Sequence, residues 1–285
     1  MTPHAKAGVL IEALPYIRRF WGETIVVKYG GNAMAADGGE ADLASFAGDI
    51  VLMRSVGMRP VVVHGGGPQI GEMMRRLGKA PEFVDGLRVT DAETLDIARM
   101  VLVGKVNRDL VAAINVHAPL AVGVSGEDAA ILTASARDPA LGFVGDVAAV
   151  NPDLLARLMA EDLVPVVATI GTDGAGQAYN INADTAAGAI AAAVGAAKLV
   201  YLTDVDGIRT DKTDAATRIS EITPDALEAL LADGTIGEGM IPKVRSCLAA
   251  VRAGVGSAHV LDGRTAHALL LEIFTDEGVG TMVHS

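Results

Sequence analysis

The chain has 285 residues, of which 51% are hydrophobic and 20% are charged, a balance typical of globular and not of disordered proteins. A net charge of −12 argues against a nucleic-acid backbone as the main partner, and an aromatic content of 4% provides few side chains for stacking unpaired bases. No apolar run reaches the roughly 20 residues of a membrane span, and no secretory signal is visible. We therefore expect a cytoplasmic protein that binds neither nucleic acid nor membranes.

The first predicted element is an amphipathic helix over residues 5–21, where apolar side chains such as Val9 and Leu14 recur at helical spacing. Pro15 lies inside this helix and is expected to kink it. A helix before the first core strand has no local surface to bury against. It either folds back on its own domain or docks on another subunit, and the sequence leaves both open.

The next element is a short buried strand, predicted from Thr24 to Val27 and followed by Lys28 and the pair Gly30-Gly31. Backbone amides can converge on a phosphate where no Cβ intrudes, and the lysine adds a positive charge. A tight turn with a solvated lysine would look the same. This stretch alone does not decide between the two interpretations.

A second unit of the same kind follows, with a valine-rich strand over residues 60–64, three glycines at 65–67 and a helix to about Leu77. Consecutive valines suit a strand that is buried on both faces of a parallel sheet. Glycines that lead into a helix N-terminus form an anion site, from converging amides and the helix dipole. The spacing matches neither the P-loop nor the dinucleotide fingerprint. We therefore predict that Gly65–Gly67 bind a phosphate or a carboxylate.

Arg88 stands just before a predicted helix that runs from about Ala92 toward His117, with Thr90 or Asp91 as its cap. A guanidinium group there can form a forked pair with a substrate carboxylate. A surface salt bridge explains the same residue equally simply, and spacing alone favours that alternative.

The second half of the chain contributes three polar segments at the ends of predicted elements. Asn180, Asn182 and Asp184 alternate into an alanine-rich helix over 186–197. Asn182 or Asp184 can cap this helix, whereas Asn180 can also contact a ligand and Asp184 can also hold lysines in place. A strand from Lys198 ends in acidic residues and a glycine, which resemble a turn and can also face a nucleotide or its metal. A glycine loop then delivers a lysine to the last long helix. These segments are Asn180–Asp184, Thr203–Gly207 and Gly237–Lys243.

Strands and helices alternate throughout, which predicts an α/β protein with a three-layer αβα sandwich and a mainly parallel open sheet. Ligands then bind at the carboxyl ends of the strands, where the glycine turns fall. We divide the chain into the helix at 1–22 as an oligomerisation element, an N-terminal lobe at 23–195 and a C-terminal lobe at 196–285.

Six motifs in this order closely resemble those of the N-acetylglutamate kinases within the amino-acid kinase family. The resemblance covers about residues 9 to 283. The motifs are Lys28-Tyr29-Gly30-Gly31, His64-Gly65-Gly66-Gly67-Pro68-Gln69, Gly86-Leu87-Arg88-Val89-Thr90, Asn180-Ile181-Asn182-Ala183-Asp184, Leu202-Thr203-Asp204-Val205-Asp206-Gly207 and Gly239-Met240-Ile241-Pro242-Lys243.

The resemblance implies transfer of the ATP γ-phosphoryl group to the side-chain carboxylate of N-acetyl-L-glutamate, with Mg²⁺, in the second step of arginine biosynthesis. Lys28 and Lys243 would neutralise charge on the transferred group, and Asp184 would orient both lysines. The N-terminal lobe would bind acetylglutamate through Gly66, Gly67, Arg88 and Asn180. The C-terminal lobe would bind the nucleotide, and no residues are assigned as metal ligands. The residues implied to bind phosphate or nucleotide are Gly30, Gly31, Gly65, Thr203, Asp204, Gly207, Arg209, Gly237 and Gly239.

The N-terminal helix resembles that of hexameric, arginine-inhibited members, in which such helices interlace between dimers. The resemblance thus implies a homohexamer, a trimer of dimers, inhibited by arginine. Two residues depart from the family pattern, Glu238 in place of a frequent glycine and Glu127 in place of a common lysine. The candidate effector residues are Tyr16, Lys198, His267, Glu272 and Gly278.

Two other functions stay open at this point. The first is a sibling kinase that acts on carbamate, aspartate, glutamate or an acetylated α-aminoadipate derivative, although Arg88 and Asn180 favour a substrate with both a carboxylate and an amide. The second is a non-catalytic regulator or arginine sensor on the same fold. The presence of Lys28, Lys243 and Asp184 together counts against that second function.

Overall fold

The centre of the fold is an eight-stranded sheet. The computed structural model describes residues 2–30, 39–84, 86–211, 213–275 and 278–284 of the chain. Gly31 lies outside these ranges, and the side chain of Glu238 is likewise not described. The strands of the chain are β1 (Thr24–Tyr29), β2 (Arg59–His64), β3 (Phe83–Val84), β4 (Leu87–Arg88), β5 (Ala121–Ser125), β6 (Leu132–Ala136), β7 (Val144–Val150), β8 (Val164–Ala168), β9 (Ile170–Thr172), β10 (Ala178–Ile181), β11 (Lys198–Thr203), β12 (Ile208–Arg209), β13 (Arg218–Ile219), β14 (Glu221–Ile222), β15 (Ser257–Asp262) and β16 (Thr281–His284).

The helices lie between these strands, as the alternating pattern predicts. The predicted helix from Ala92 toward His117 is present, but one π-helical turn over Leu102–Val106 divides it into two. The helices are α1 (Pro3–Phe20), α2 (Gly39–Ser55), α3 (Gly67–Arg76), α4 (Ala92–Val101), α5 (Asn107–His117), α6 (Asp153–Ala160), α7 (Ala183–Ala193), α8 (Pro224–Ala232), α9 (Ile241–Arg252) and α10 (Ala268–Phe274).

The sheet has the strand order β14-β16-β15-β11-β1-β2-β8-β5, and its neighbours are parallel except for β15 and β16. Alternate side chains of β1 enter two separate cores. Val27 and Tyr29 pack with α2 and α5 on one side, and Val26 packs with α7 and α9 on the other. The predicted three-layer α/β sandwich is therefore confirmed. Strands β6, β7, β9 and β10 form a small closed barrel beside the sheet.

Because β1 pairs with β11, the two predicted lobes share one continuous sheet. The predicted boundary between residues 195 and 196 falls in the turn between α7 and β11. Across the described ranges, every helix is too short or too polar to cross a membrane.

Candidate active site

Two glycine turns meet at the carboxyl ends of β1 and β2. The parallel register places Lys28 beside Val63 and Tyr29 beside His64, so the two strands end at the same level. The amide of Gly65 donates to the carbonyl of Tyr29 at 3.3 Å. A Cβ on Gly30 would come within 3.1 Å of the Gly65 nitrogen, so a side chain at position 30 would push against the backbone of Gly65.

Asp184 joins two lysines that approach from different parts of the chain. Its Oδ1 lies 2.9 Å from Lys28 Nζ, and its Oδ2 accepts from Lys243 Nζ at 2.8 Å. Burial raises the pKa of Asp184, but the charges of both lysines outweigh burial and hold this pKa well below its usual range. The carboxylate therefore stays ionised, and it fixes two ammonium groups on either side of one point.

The N-terminus of α7 positions Asp184 within this arrangement. Asn182 is the helix cap, because its Oδ1 accepts from the amides of Asp184 and Thr185 at 2.9 and 3.1 Å. The hydroxyl of Tyr201 on β11 donates to the Asp184 carbonyl at 3.2 Å, and Lys243 Nζ lies 5.7 Å from the centre of the Tyr201 ring. Asp184 is thus held from both its backbone and its side chain.

A cavity of about 200 Å³ opens on the Lys28 side of this carboxylate. Its wall contains all four residues that the sequence suggests for acetylglutamate. It has room for a small molecule and not for a whole nucleotide. The predicted residues in its wall are Lys28, Gly65, Gly66, Gly67, Arg88, Asn180 and Asp184.

Arg88 brings a buried positive charge to this cavity. One Nη donates to the carbonyl of Gly67 at 2.8 Å, and the guanidinium carbon lies 4.7 Å from the centre of the Phe83 ring. Burial lowers the pKa of Arg88, yet a guanidinium group keeps its proton at any physiological pH. Among the described residues no carboxylate pairs with Arg88. It can therefore receive a carboxylate from a substrate.

A second cavity, of about 1580 Å³, opens on the Lys243 side. Its acidic side chains are partly paired, since Asp206 bonds to Arg209 at 2.9 Å and Asp262 bonds to Arg264 at 2.8 Å. Lys28 and Asp184 line both cavities, so the two spaces meet at the ion triad. The predicted nucleotide-binding residues in its wall are Gly30, Thr203, Asp204, Gly207, Arg209, Gly237 and Gly239.

Comparison with known proteins identifies the family. The profile of the amino acid kinase family matches residues 23–262, which is most of the chain. This chain belongs to the amino acid kinase family. The predicted resemblance and the predicted fold class are therefore confirmed.

Relatives with the name acetylglutamate kinase match this family member over nearly its whole length. The proteins of Symbiobacterium thermophilum and Acidothermus cellulolyticus are each 55% identical to it. The matches cover 98% of this chain in both cases, and 97% and 96% of the respective relatives.

A solved structure of a longer relative shares the fold. The N-acetylglutamate synthase from Neisseria gonorrhoeae, complexed with coenzyme A and N-acetyl-glutamate, is 27% identical with a TM-score of 0.85. The match covers 98% of this amino acid kinase family member and 63% of the synthase chain. A second structure of that synthase contains coenzyme A and L-arginine.

The candidate effector residues fall into two places in this amino acid kinase. Lys198 Nζ lies 3.0 Å from His259 Nε2, and His259 Nδ1 lies 2.6 Å from Glu272. Gly278 is close by, since a Cβ there would be 4.0 Å from Glu272 Oε2. His267 is not in this group, because its Nδ1 bonds to Asp49 at 2.6 Å. Tyr16 lies on α1, which packs against α10, the helix that carries Glu272.

The departure at Glu127 lies next to the site but not in the walls of either cavity. Its Oε1 accepts from Arg99 at 2.7 Å, and its Oε2 accepts from the Ser125 hydroxyl at 3.3 Å. This side chain is therefore occupied by a local ion pair.

Sequence reasoning missed several residues that shape the site. Tyr201 is one of them, and the only signal was an aromatic residue in an otherwise aliphatic strand. Thr90 was considered as a helix cap, but Asp91 takes that role by accepting from the Thr94 amide at 2.8 Å. Thr90 instead donates to the Arg88 carbonyl at 2.9 Å and accepts from Asn180 at 3.4 Å.

Proposed function

We propose that this protein transfers the γ-phosphoryl group of ATP to the side-chain carboxylate of N-acetyl-L-glutamate, giving N-acetyl-L-glutamyl 5-phosphate and ADP. This reaction is the second step of arginine biosynthesis. The observation that carries the proposal is the position of Asp184, which bridges Lys28 and Lys243 where the two cavities meet. A group that passes between the cavities must pass these lysines.

The small cavity supports an acylated amino acid as the acceptor. Arg88 can pair with the α-carboxylate, and Asn180 offers an amide for the acetamido group. The two relatives reported above carry the name acetylglutamate kinase. We propose that residues 23–195 hold this acceptor and that residues 196–285 hold the nucleotide.

The chemical step forms one bond from a carboxylate oxygen to the γ-phosphorus and breaks the bond from that phosphorus to the bridging oxygen of ADP. A carboxylate is already ionised at neutral pH, so no general base is required. The transfer needs alignment and neutralisation of charge on the three γ-oxygens. Lys28 and Lys243 supply the charge, and the amides of Gly66 and Gly67 supply hydrogen bonds.

Magnesium fits this site as a companion of the nucleotide. Within the described part of the chain, no cluster of three or more His, Cys, Asp or Glu side chains could hold a metal. Mg²⁺ commonly takes most of its ligands from substrate phosphates and water, with one or two carboxylates. Asp204 and Asp206 provide such carboxylates in the wall of the large cavity. The ion would neutralise phosphate charge there.

The decisive test is an assay of ADP release with N-acetyl-L-glutamate and with a panel of carbamate, aspartate, glutamate and acetylated α-aminoadipate. We expect turnover with N-acetyl-L-glutamate. The substitutions Lys28→Ala and Lys243→Ala should each lower kcat by at least about 100-fold, because each removes a charge that stabilises the transition state. Absence of acetylglutamate turnover, or near-normal rates in both variants, would contradict the proposal.

We propose further that arginine inhibits the enzyme and that the enzyme is a hexamer. The buried group of Lys198, His259 and Glu272 lies beside α1, with Lys198 Nζ 5.2 Å from the Phe20 ring, and combines charges that suit a zwitterion. On α1, Leu10 and Ile11 are 69% and 68% exposed, which favours docking on another subunit.

Light scattering and the same assay with millimolar arginine test the regulatory proposal. We expect a hexameric mass and a lower rate with arginine. Removal of residues 1–21 should give dimers that arginine no longer inhibits. A monodisperse dimer for the whole chain, with a rate that arginine does not change, would overturn it.

A further inference from the structure

A buried polar pair lies directly beneath the glycine turn of the small cavity. His64 and Asn107 are both fully buried. His64 Nδ1 lies 3.0 Å from the carbonyl oxygen of Gly65, and His64 Nε2 lies 3.0 Å from Asn107 Nδ2. Asn107 Nδ2 also donates to the Val166 carbonyl on β8 at 2.8 Å. The pair therefore connects the turn after β2 to the interior of the sheet.

The partners of His64 determine which ring nitrogen carries the proton. A carbonyl oxygen can only accept, so Nδ1 must be the donor to Gly65. Nε2 is then the acceptor of a hydrogen bond from Nδ2 of Asn107, whose Oδ1 accepts from Arg108. Burial lowers the pKa of His64 to about 4, so the ring is neutral when the enzyme works.

This arrangement fixes the plane of one peptide bond. In a trans peptide the carbonyl of one residue and the amide of the next point in opposite directions. With the Gly65 carbonyl bonded to His64, the amide of Gly66 is directed away from His64, on the opposite side of the peptide. Gly66 lines the small cavity, and the Gly65 amide is already bonded to Tyr29. The two hydrogen bonds thus fix the two consecutive peptides that meet at Gly65, one through its amide and the next through its carbonyl.

The π-helical turn before Asn107 contacts the same glycine. A Cβ on Gly66 would lie 2.7 Å from Leu102 Cδ2 and 3.2 Å from Val106 Cγ2. The turn therefore packs against the backbone of Gly66 from one side, while Asn107 supports His64 below it. Both contacts depend on the segment Leu102–Asn107.

We propose that His64 and Asn107 are positioning residues that hold the Gly65–Gly66 peptide so that the Gly66 amide donates to the phosphoryl group in transfer. This inference rests on the proposed function, because it names one donor of that reaction. Neither side chain touches the substrate. Each acts through the orientation of the Gly66 amide.

Two amide substitutions of His64 separate positioning from simple packing. In His64→Asn the side-chain NH₂ group takes the place of Nδ1 and can still donate to the Gly65 carbonyl. In His64→Gln the NH₂ group takes the place of Nε2 and cannot donate to the Gly65 carbonyl. We expect His64→Asn to retain kcat to within about 3-fold and His64→Gln to lower kcat at least about 10-fold, since a misdirected donor misaligns the reaction. Equal losses in both variants would overturn the proposal. The exposed His117 on α5, changed to Asn and to Gln, is the matched control and should leave kcat unchanged.

Nitrogen-15 spectra of the imidazole rings of the wild-type enzyme test the geometry without relying on activity. The His64 signals should show a protonated Nδ1 and an unprotonated Nε2, and their chemical shifts should not change between about pH 6 and pH 8. A ring protonated on Nε2 would overturn the inference. If the wild type shows this tautomer but does not phosphorylate acetylglutamate, the proposed function fails while the arrangement of His64 stands.

Discussion

At the scale of single residues, Asp184 is the carboxylate that pairs with both lysines of the site. Two ammonium groups placed in one buried spot would repel each other without a negative group between them. Asp184 forms an ion pair with each of the two ammonium groups. The phosphates of a nucleotide would bring further negative charge to the same lysines. The carboxylate therefore keeps the lysines in place before the substrate arrives and leaves them able to bind it.

We predict that Asp184→Asn both inactivates and destabilises the protein. The substitution preserves the shape of the side chain but leaves two buried lysines uncompensated. The free energy of unfolding should fall by about 3 kcal/mol, and kcat should fall at least about 100-fold. Urea unfolding and the ADP-release assay measure the two effects.

The matched control for this substitution is Asp146→Asn, which removes the exposed ion pair to Arg137. Exposed pairs contribute less than about 1 kcal/mol, so stability and rate should both stay near wild type. Similar losses of stability and of kcat in the two variants would show that Asp184 contributes no more than a carboxylate in an exposed ion pair.

At the scale of elements, β4 and β10 carry Arg88 and Asn180, the two residues that we propose bind the substrate, and Thr90 connects them. Its hydroxyl donates to the carbonyl of Arg88 and accepts from Asn180, and its side chain is fully buried. Thr90 thus links β4 to the barrel strand β10 and helps to fix the distance between a cation and an amide at the small cavity. A substrate that bears both a carboxylate and an amide would be selected by that distance.

We predict that Thr90→Val weakens binding of N-acetyl-L-glutamate. Valine has nearly the same shape but no hydroxyl, so Arg88 and Asn180 lose their common partner. Two hydrogen bonds are lost, and the one from Asn180, which contributes about 1 kcal/mol, should raise KM for N-acetyl-L-glutamate about 5-fold. The KM for ATP is the internal control and should stay constant. A parallel rise in both constants would indicate general damage to the fold.

At the scale of the whole molecule, buried neutral histidines make stability depend on pH. The pKa of His64 is about 4 in the folded protein and about 6.5 when the ring is solvated, so only the unfolded chain gains a proton between these values. The contribution of His64 is therefore complete above about pH 6.5 and is lost as the pH falls toward 4.

We predict that the free energy of unfolding of the wild type decreases by about 3 kcal/mol over this range through His64 alone. The variant His64→Asn cannot gain that proton, so its stability should decrease less. Urea unfolding at several pH values between about 4 and 7 measures the difference. A constant gap between wild type and variant would contradict the assignment.

Much of this architecture follows from the sequence because polar motifs at strand ends converge in a parallel sheet. Lys28 and Gly65–Gly67 follow adjacent strands, so their proximity could be predicted. The small barrel could not, because its closure depends on the pairing of β10 with β7 and of β6 with β9, which are distant in sequence. The separation of His267 from Lys198 also escaped prediction, because the position of each side chain depends on tertiary packing that no local sequence pattern encodes.

The position of β1 has a consequence for amide hydrogen exchange. This strand is paired on both sides, by β11 and β2, and five of its six residues are buried. Its amides should exchange only when the whole protein unfolds, whereas the turn before α9, in which Gly237 and Gly239 are exposed, should open locally. Hydrogen exchange measured by mass spectrometry would then show slow exchange in the strand that carries Lys28 and faster exchange in the turn just before Lys243. In the proposed reaction, Lys28 would then keep a fixed position, while the position of Lys243 would depend on the turn that precedes it.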